Sequence, residues 1–215
     1  QIALFDIDGT LYPGHSELTH RLDRLITEFV AEHLSLSVDE ADRVRRATLR
    51  AHGTTLRGLM ELHRTDPVEF YEFITTADPR DYLAPDPALR SMLEGMAARI
   101  AAFTNAPRAH AEHVFEALSV QGMFDPVFTI EDSGYLGKPH PDAYEGVLGR
   151  LEARPARVTM IEDTRRFLAP AKARGMRTVL IDGSGHDPAG DDGIDAFARS
   201  IHDLPKAAPW LFAEE

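Results

Sequence analysis

The chain has 215 residues, 43% of them apolar and 27% charged, which suits a soluble globular protein with one large domain or a core with a smaller insertion. Its formal net charge of −12 supplies no basic field to offset phosphate repulsion, so neither a nucleic acid polymer nor an anionic membrane is expected as a partner. It has no cysteine, which excludes disulfides, thiol catalysis and thiolate metal sites, and no apolar run reaches the roughly 18 residues of a membrane span.

The opening run Ile2-Ala3-Leu4-Phe5 predicts a buried strand that ends abruptly in two carboxylates, Asp6 and Asp8, with Ile7 between them. Strand alternation sends both carboxylates to one side, and Gly9 lets the chain leave the strand sharply. Two acids at the end of a core strand repel each other and cost desolvation, so a positive partner is called for. Alone, the stretch also fits an Asx-capped strand-to-turn junction; the other reading is a metal-assisted acidic site at the ligand-binding edge of a sheet. The start lacks the basic region of a signal peptide, and a cytoplasmic protein is expected. Because Gln1 leads straight into a strand, the numbering is expected to begin a few residues inside the native chain.

Ser16 is placed to cap a helix with Leu18, Leu22, Leu25, Ile26 and Phe29 at helical spacing. Ser37 or Asp39 starts a second helix, which His52-Gly53-Thr54-Thr55 breaks. Thr54 caps a short third helix, and Asp66-Pro67 opens a fourth carrying Val68, Phe70, Tyr71 and Phe73. Residues 14–84 therefore read as all-helical, too much helix for a plain crossover and suited to an inserted helical subdomain.

From Pro85 onward helices alternate with short apolar strands, the strands falling at 99–103, 127–130, 158–161 and 178–181. This alternation predicts an α/β fold whose parallel sheet is covered on both faces, with a core of 1–13 and 85–215. A Gly/Asp-rich loop over 184–193 and a last helix over 194–204 are expected next. The apolar tail Pro209-Trp210-Leu211-Phe212 is expected to pack on the body of the protein.

Each core strand runs into polar residues suited to one shared site. Thr104-Asn105-Ala106-Pro107 precedes a helix, where free backbone N–H groups and a hydroxyl make an anion pocket; an ordinary Thr or Asn cap fits the same residues. Lys138 stands between Gly137 and Pro139, a rigid setting that can aim an ammonium inward, although a lone lysine is usually solvated. The strand over 158–161 ends in Glu162 and Asp163. Together with Asp6 and Asp8 these acids form a hard-oxygen site that suits Mg²⁺, whereas zinc lacks both cysteine and paired histidines.

The order Asp6-Ile7-Asp8-Gly9-Thr10, Thr104-Asn105, Lys138-Pro139, Glu162-Asp163 resembles the haloacid dehalogenase superfamily of phosphohydrolases across residues 2 to about 182. Thr10-Leu11-Tyr12-Pro13, the stretch His52 through Leu59, and Asp163-Thr164-Arg165-Arg166-Phe167 resemble the branch containing pyrimidine 5′-nucleotidases. The resemblance implies a Rossmann-like core with an all-helical cap over 14–84, inserted after the first motif in the C1 arrangement. It implies a Mg²⁺-dependent phosphatase acting on a small phosphorylated metabolite, such as a nucleoside monophosphate. Sugar or small-acid phosphatases, a phosphomutase and a non-catalytic phosphate-binding module are the alternatives.

By the same resemblance, Asp6 is the nucleophile that becomes an aspartyl-phosphate and Asp8 the acid/base. Thr104 and the N–H of Asn105 hold phosphoryl oxygens, and Lys138 neutralises nucleophile and phosphate. Asp6, the carbonyl of Asp8 and Asp163 bind the metal, with Glu162 acting through a water. Thr54, Thr55 or Arg57 contacts the leaving group from the cap, and Tyr12 packs at the hinge or lines the leaving-group pocket. Two positions depart from the branch pattern: Phe167 stands where Asn is expected and His140 where Asp is common. Asp8 argues against a true dehalogenase, which does not need that acid.

Overall fold

Ile2-Ala3-Leu4-Phe5 shows no polar alternation, and the strand it forms, β1 (Ile2–Phe5), is buried on both faces in the middle of a sheet. The computed structural model describes residues 1–183 and 193–213. Its strands are β2 (Arg99–Phe103), β3 (Val127–Phe128), β4 (Val158–Glu162), β5 (Arg177–Ile181) and β6 (Ala196–Ala198). They form one parallel sheet in the order β3-β2-β1-β4-β5-β6. Phe5 lies opposite both Ala102 and Ile161, so β1, β2 and β4 finish at one level. The chain order reverses at β1, and a parallel sheet opens a crevice beyond its carboxyl ends at such a point.

Ala3 and Phe5 join one apolar cluster with α5 (Pro87–Glu94) and α6 (Arg108–Leu118). Ile2 and Leu4 point the other way, toward α7 (Pro141–Leu151) and α8 (Arg165–Ala173). The chain is thus an α/β fold of the Rossmann-like type, with helices on both faces of the sheet.

Four helices, α1 (Glu17–Leu34), α2 (Val38–His52), α3 (Thr55–His63) and α4 (Pro67–Ile74), stand between β1 and α5. Their starts follow the local sequence. Ser16 accepts from Thr19 N at 3.2 Å, Ser37 and Glu40 form a reciprocal capping box, Thr54 accepts from Arg57 N and Asp66 from Val68 N. Phe29 meets Phe70 edge-on at 5.1 Å and Phe73 at 5.5 Å, which ties α1 to α4. Two hydrogen bonds link these helices to the sheet side: Tyr71 Oη donates to Asn105 O at 2.8 Å, and an Arg166 guanidinium nitrogen donates to Leu49 O at 2.9 Å.

Two expected elements are replaced. The strand over 127–130 stops at Phe128, because the Asp132 carboxylate accepts from Thr129 N at 2.8 Å and starts a 3₁₀ turn, Ile130–Ser133. The helix expected over 194–204 is instead strand β6, paired with β5, then a 3₁₀ turn (Ile201–Asp203) and the short α9 (Leu204–Ala207). Asp195 accepts from Thr178 N at 2.8 Å, which anchors the segment beside β5, where the edge backbone offers partners no isolated helix could. The loop expected over 184–193 lies, apart from Gly193, outside the described residues. Among the described residues no helix is long and apolar enough to cross a membrane.

The C-terminal tail docks as expected. Leu211 is fully buried and its carbonyl accepts from Ala97 N and Ala98 N, both at 3.1 Å, while Trp210 Nε1 donates to Thr159 Oγ1. Replacing Leu211 by alanine leaves a void beneath the tail and is expected to remove about 2–5 kcal/mol of stability. A lower urea midpoint at constant m-value is the predicted result; an unmoved midpoint would contradict this docking.

Candidate active site

The carboxyl ends of β1 and β4 deliver acids to one spot, and Lys138 is threaded between them. Its Nζ donates to Asp6 Oδ1 at 2.6 Å and to Glu162 Oε2 at 2.7 Å, with all three side chains buried. The ammonium also lies 5.3 Å from the centroid of Phe103 and 5.4 Å from that of Phe167. Phe167, in place of the expected amide, therefore walls the lysine with an aromatic face. Thr10 Oγ1 donates to the other Asp6 oxygen at 3.1 Å.

Lys138 is held by its backbone as well. The Asn105 side chain accepts from Lys138 N at 2.7 Å and donates to Lys138 O at 2.8 Å, a two-point clamp on the loop before α7. Gly137 is needed for this approach: its φ is +57°, and a Cβ there would lie 2.6 Å from Asn105 Oδ1. The Asn105 side chain thus acts on the lysine, while its backbone stays at the mouth of the β2–α6 loop beside the buried Thr104 hydroxyl, which accepts from Ala106 N at 3.0 Å.

Asp8, two residues beyond Asp6, meets different partners. Its Oδ1 accepts from Tyr12 Oη at 2.5 Å and pairs with His110 Nε2 at 2.8 Å. Tyr12 thereby reaches an acid of the site directly, beyond any hinge packing. His110 lies in the first turn of α6 and was not among the residues expected here. Its signal was faint: a polar residue on the otherwise apolar stripe of Ala111, Val114 and Leu118, just after the loop that carries Thr104 and Asn105.

These surroundings push the two aspartates apart. Burial raises the Asp6 carboxyl to about 6; Lys138 opposes that rise and the charge of Asp163 adds to it. Burial likewise carries Glu162 well above the usual carboxylate range, with the charge of Asp6 adding. Burial also raises Asp8, but the charge and hydrogen bond of His110 outweigh it and hold this carboxyl below its ordinary value. His110 is raised in turn, because the pull of Asp8 exceeds the effect of its own burial.

Asp6, Glu162 and Asp163 each bring one carboxylate oxygen within 4.8 Å of the others. Gly9, at φ +89°, leaves room for this: a Cβ there would lie 2.2 Å from Asp163 Oδ2. Three acids against one lysine, all with oxygen donors, suit a hard divalent cation such as Mg²⁺. Glu162 has both oxygens engaged, by Lys138 and by Thr164 N at 3.2 Å, and Asp6 likewise, by Lys138 and by Thr10 Oγ1, while Asp163 Oδ1 accepts from Thr164 Oγ1 at 3.0 Å.

A cavity of about 320 Å³ opens above these groups and is lined by Asp6, Asp8, Thr104, Asn105, His110, Lys138 and Asp163 from the sheet side. From the helical insertion it receives Leu22, Ile26, Leu49, Phe70, Tyr71 and the polar pair Asp23 and Arg45, whose ion pair spans 2.8 Å. Thr54 and Thr55 line it as well. Arg57 is turned elsewhere: its Nε donates to Glu61 Oε1 at 2.7 Å, and it lines a neighbouring cavity. His140 lines that neighbour too, and its Nδ1 accepts from Asp142 N at the start of α7.

The raised acids imply a pH-dependent response to metal. A carboxyl whose folded pKa is raised from 3.8 to about 6 contributes stability that is present below 3.8 and lost as pH rises through about 6. Ionised together at higher pH, Asp6 and Glu162 strain the cluster until a cation offsets them. Added Mg²⁺ is therefore expected to raise the melting temperature more at about pH 8 than at about pH 5. An equal rise at both would place the ion away from this cluster.

Residues 1–175 match the family model described as haloacid dehalogenase-like hydrolase. The chain is 28% identical to phosphate metabolism protein 8 of Saccharomyces cerevisiae over 84% of its own length, and spans 61% of that relative. It is 24% identical to validoxylamine A 7′-phosphate phosphatase of Streptomyces hygroscopicus subsp. limoneus, covering 82% of this chain and 83% of that protein. In fold it is similar to the crystal structure of a HAD phosphatase from Thermococcus onnurineus, with a TM-score of 0.67, 22% identity and 96% of each chain covered. With its parallel sheet and the match over residues 1–175, the chain belongs to the haloacid dehalogenase-like hydrolases.

Proposed function

We propose that this protein is a Mg²⁺-dependent phosphomonoester hydrolase that forms an aspartyl-phosphate on Asp6, with a pyrimidine nucleoside 5′-monophosphate as substrate. The observation that carries the reading is the buried Lys138 on Asp6, 2.6 Å away, beneath a cavity that also holds Asp8 and Thr104. A carboxylate is a weak base but a competent nucleophile once the phosphoryl charge is neutralised. The names of the yeast and Streptomyces relatives support phosphate chemistry.

In the proposed reaction an Asp6 carboxylate oxygen attacks phosphorus and the bond from phosphorus to the leaving oxygen breaks. Asp8 gives that oxygen a proton. Water then attacks phosphorus, Asp8 takes a proton from it, and the bond to Asp6 breaks to release phosphate. His110 holds the Asp8 carboxyl below its ordinary value in the free protein, an arriving phosphate dianion favours the protonated form that the first step needs, and loss of that proton leaves the carboxylate that the second step needs. Thr104 and Asn105 N–H would hold phosphoryl oxygens, and Lys138 would offset their charge. Asp6, Asp163 and the Asp8 carbonyl would hold Mg²⁺, with Glu162 contributing through a water; the ion supplies further charge stabilisation of the phosphoryl group.

Residues 14–84 act in this reading as a cap over the site. The cap side is mostly apolar, with the aromatic Phe70 and Tyr71, and its polar residues include Thr54, Thr55, Thr75 and the Arg45–Asp23 pair. Such a lining favours a planar leaving group with a hydrogen-bonding edge, which supports a nucleobase over a small polyol or acid.

Phosphate release from a panel of monophosphates, with and without Mg²⁺, tests the reading beside Asp6→Asn. Release from UMP and CMP that needs Mg²⁺ and disappears in Asp6→Asn is the expected result. Activity that survives in Asp6→Asn would remove the nucleophile assignment. Equal rates on glycolate and sugar phosphates would remove the nucleotide assignment, and label found on substrate isomers rather than in solution would indicate a mutase.

A further inference from the structure

Tyr12 and His110 reach the same atom of Asp8 from two unrelated elements. Tyr12 stands in the turn that follows Asp8, and His110 in the first turn of α6, after the loop that carries Thr104. Both side chains are buried, and both contacts fall on Oδ1, at 2.5 and 2.8 Å. Among the described residues no side-chain donor is recorded on Oδ2, and Asp8 lines the cavity.

We infer that Tyr12 and His110 are positioning residues that hold Asp8 by one oxygen, so that the other is the atom presented to the leaving group. The inference rests on the phosphatase reading above. A carboxylate has a broad, roughly two-fold terminal torsion, so Asp8 alone would present either oxygen over a range of angles. Two donors converging on Oδ1 remove that freedom. Oδ1 remains an acceptor whether or not Oδ2 carries a proton, so the clamp need not change between the two half-reactions. The geometry matters because proton transfer to a leaving oxygen requires hydrogen-bond reach, and catalytic groups tolerate only about 0.5 Å or 10–20° of misplacement.

His110 also joins three functions in one element. The loop and first turn from Thr104 to His110 supply the hydroxyl at the anion pocket, the Asn105 clamp on Lys138 and the clamp on Asp8. Tyr71 Oη seats this loop from α4 through Asn105 O at 2.8 Å.

The test compares esters that need a leaving-group proton to different extents. First-turnover release of the alcohol is measured by rapid quench for p-nitrophenyl phosphate and for UMP, an alkyl ester, in the wild type, His110→Ala, His110→Gln and Tyr12→Phe. A positioning role predicts that His110→Ala and Tyr12→Phe lose at least about tenfold more rate on the alkyl ester than on the aryl ester, with the concentration that half-saturates the first turnover little changed. His110→Gln, whose amide can donate at similar reach, is expected to recover part of the alkyl rate. If His110→Ala fails to fold, Tyr12→Phe, which removes only a hydroxyl, carries the comparison. Equal losses on both esters, or none, overturn the inference. A wild-type protein that releases alcohol from neither ester overturns the phosphatase reading and the clamp with it, an outcome distinct from equal losses in an active protein.

Discussion

One ammonium group between two buried carboxylates holds this site together. Lys138 reaches Asp6 at the end of β1 and Glu162 at the end of β4, two central and adjacent strands. An unpaired buried charge is strongly unfavourable, and breaking such a pair costs about 3–5 kcal/mol. The surrounding structure is therefore committed to keeping the lysine in place. Gly137 lets the loop approach, Asn105 grips both backbone polar groups of Lys138, and Phe103 and Phe167 wall its head.

Neighbours other than the lysine explain why two aspartates separated by one residue behave differently. Asp6 faces burial and the charge of Asp163, and its carboxyl rises even with Lys138 beside it. Asp8 meets His110 and Tyr12 and falls. Environments that drive two like groups in opposite directions are a usual basis for dividing chemical roles. Here they fit the proposed division into nucleophile and acid/base. One lysine cannot balance Asp6, Glu162 and Asp163 together, a charge imbalance that suits the cluster to a hard divalent cation.

Much of this was legible in the chain because the relevant signals are local. Apolar runs that end in Asp6, Glu162 and Thr104 mark strand ends, and a parallel sheet brings such ends to one edge. The caps at Ser16, Ser37, Thr54 and Asp66 were readable for the same reason. What escaped depends on distant partners. β6 is three residues long and exists through its pairing with β5, and β3 is cut short by a side-chain cap from Asp132. His110 meets a carboxylate 102 residues away in the chain, which no spacing rule reveals. Arg57 looked available beside Thr54 and Thr55, yet Glu61 one helical turn later takes it.

In the proposed reaction the carboxylate held by Lys138 becomes covalently phosphorylated during turnover. The most direct measurement is to acid-quench the protein while it hydrolyses a phosphomonoester, reduce it with borohydride and map the modified peptide. An acyl phosphate on Asp6 is reduced to an alcohol, so the account predicts homoserine at position 6 in substrate-treated protein and unchanged aspartate in its absence. Unmodified Asp6 under conditions of rapid phosphate release, or reduction at another carboxylate, would contradict it.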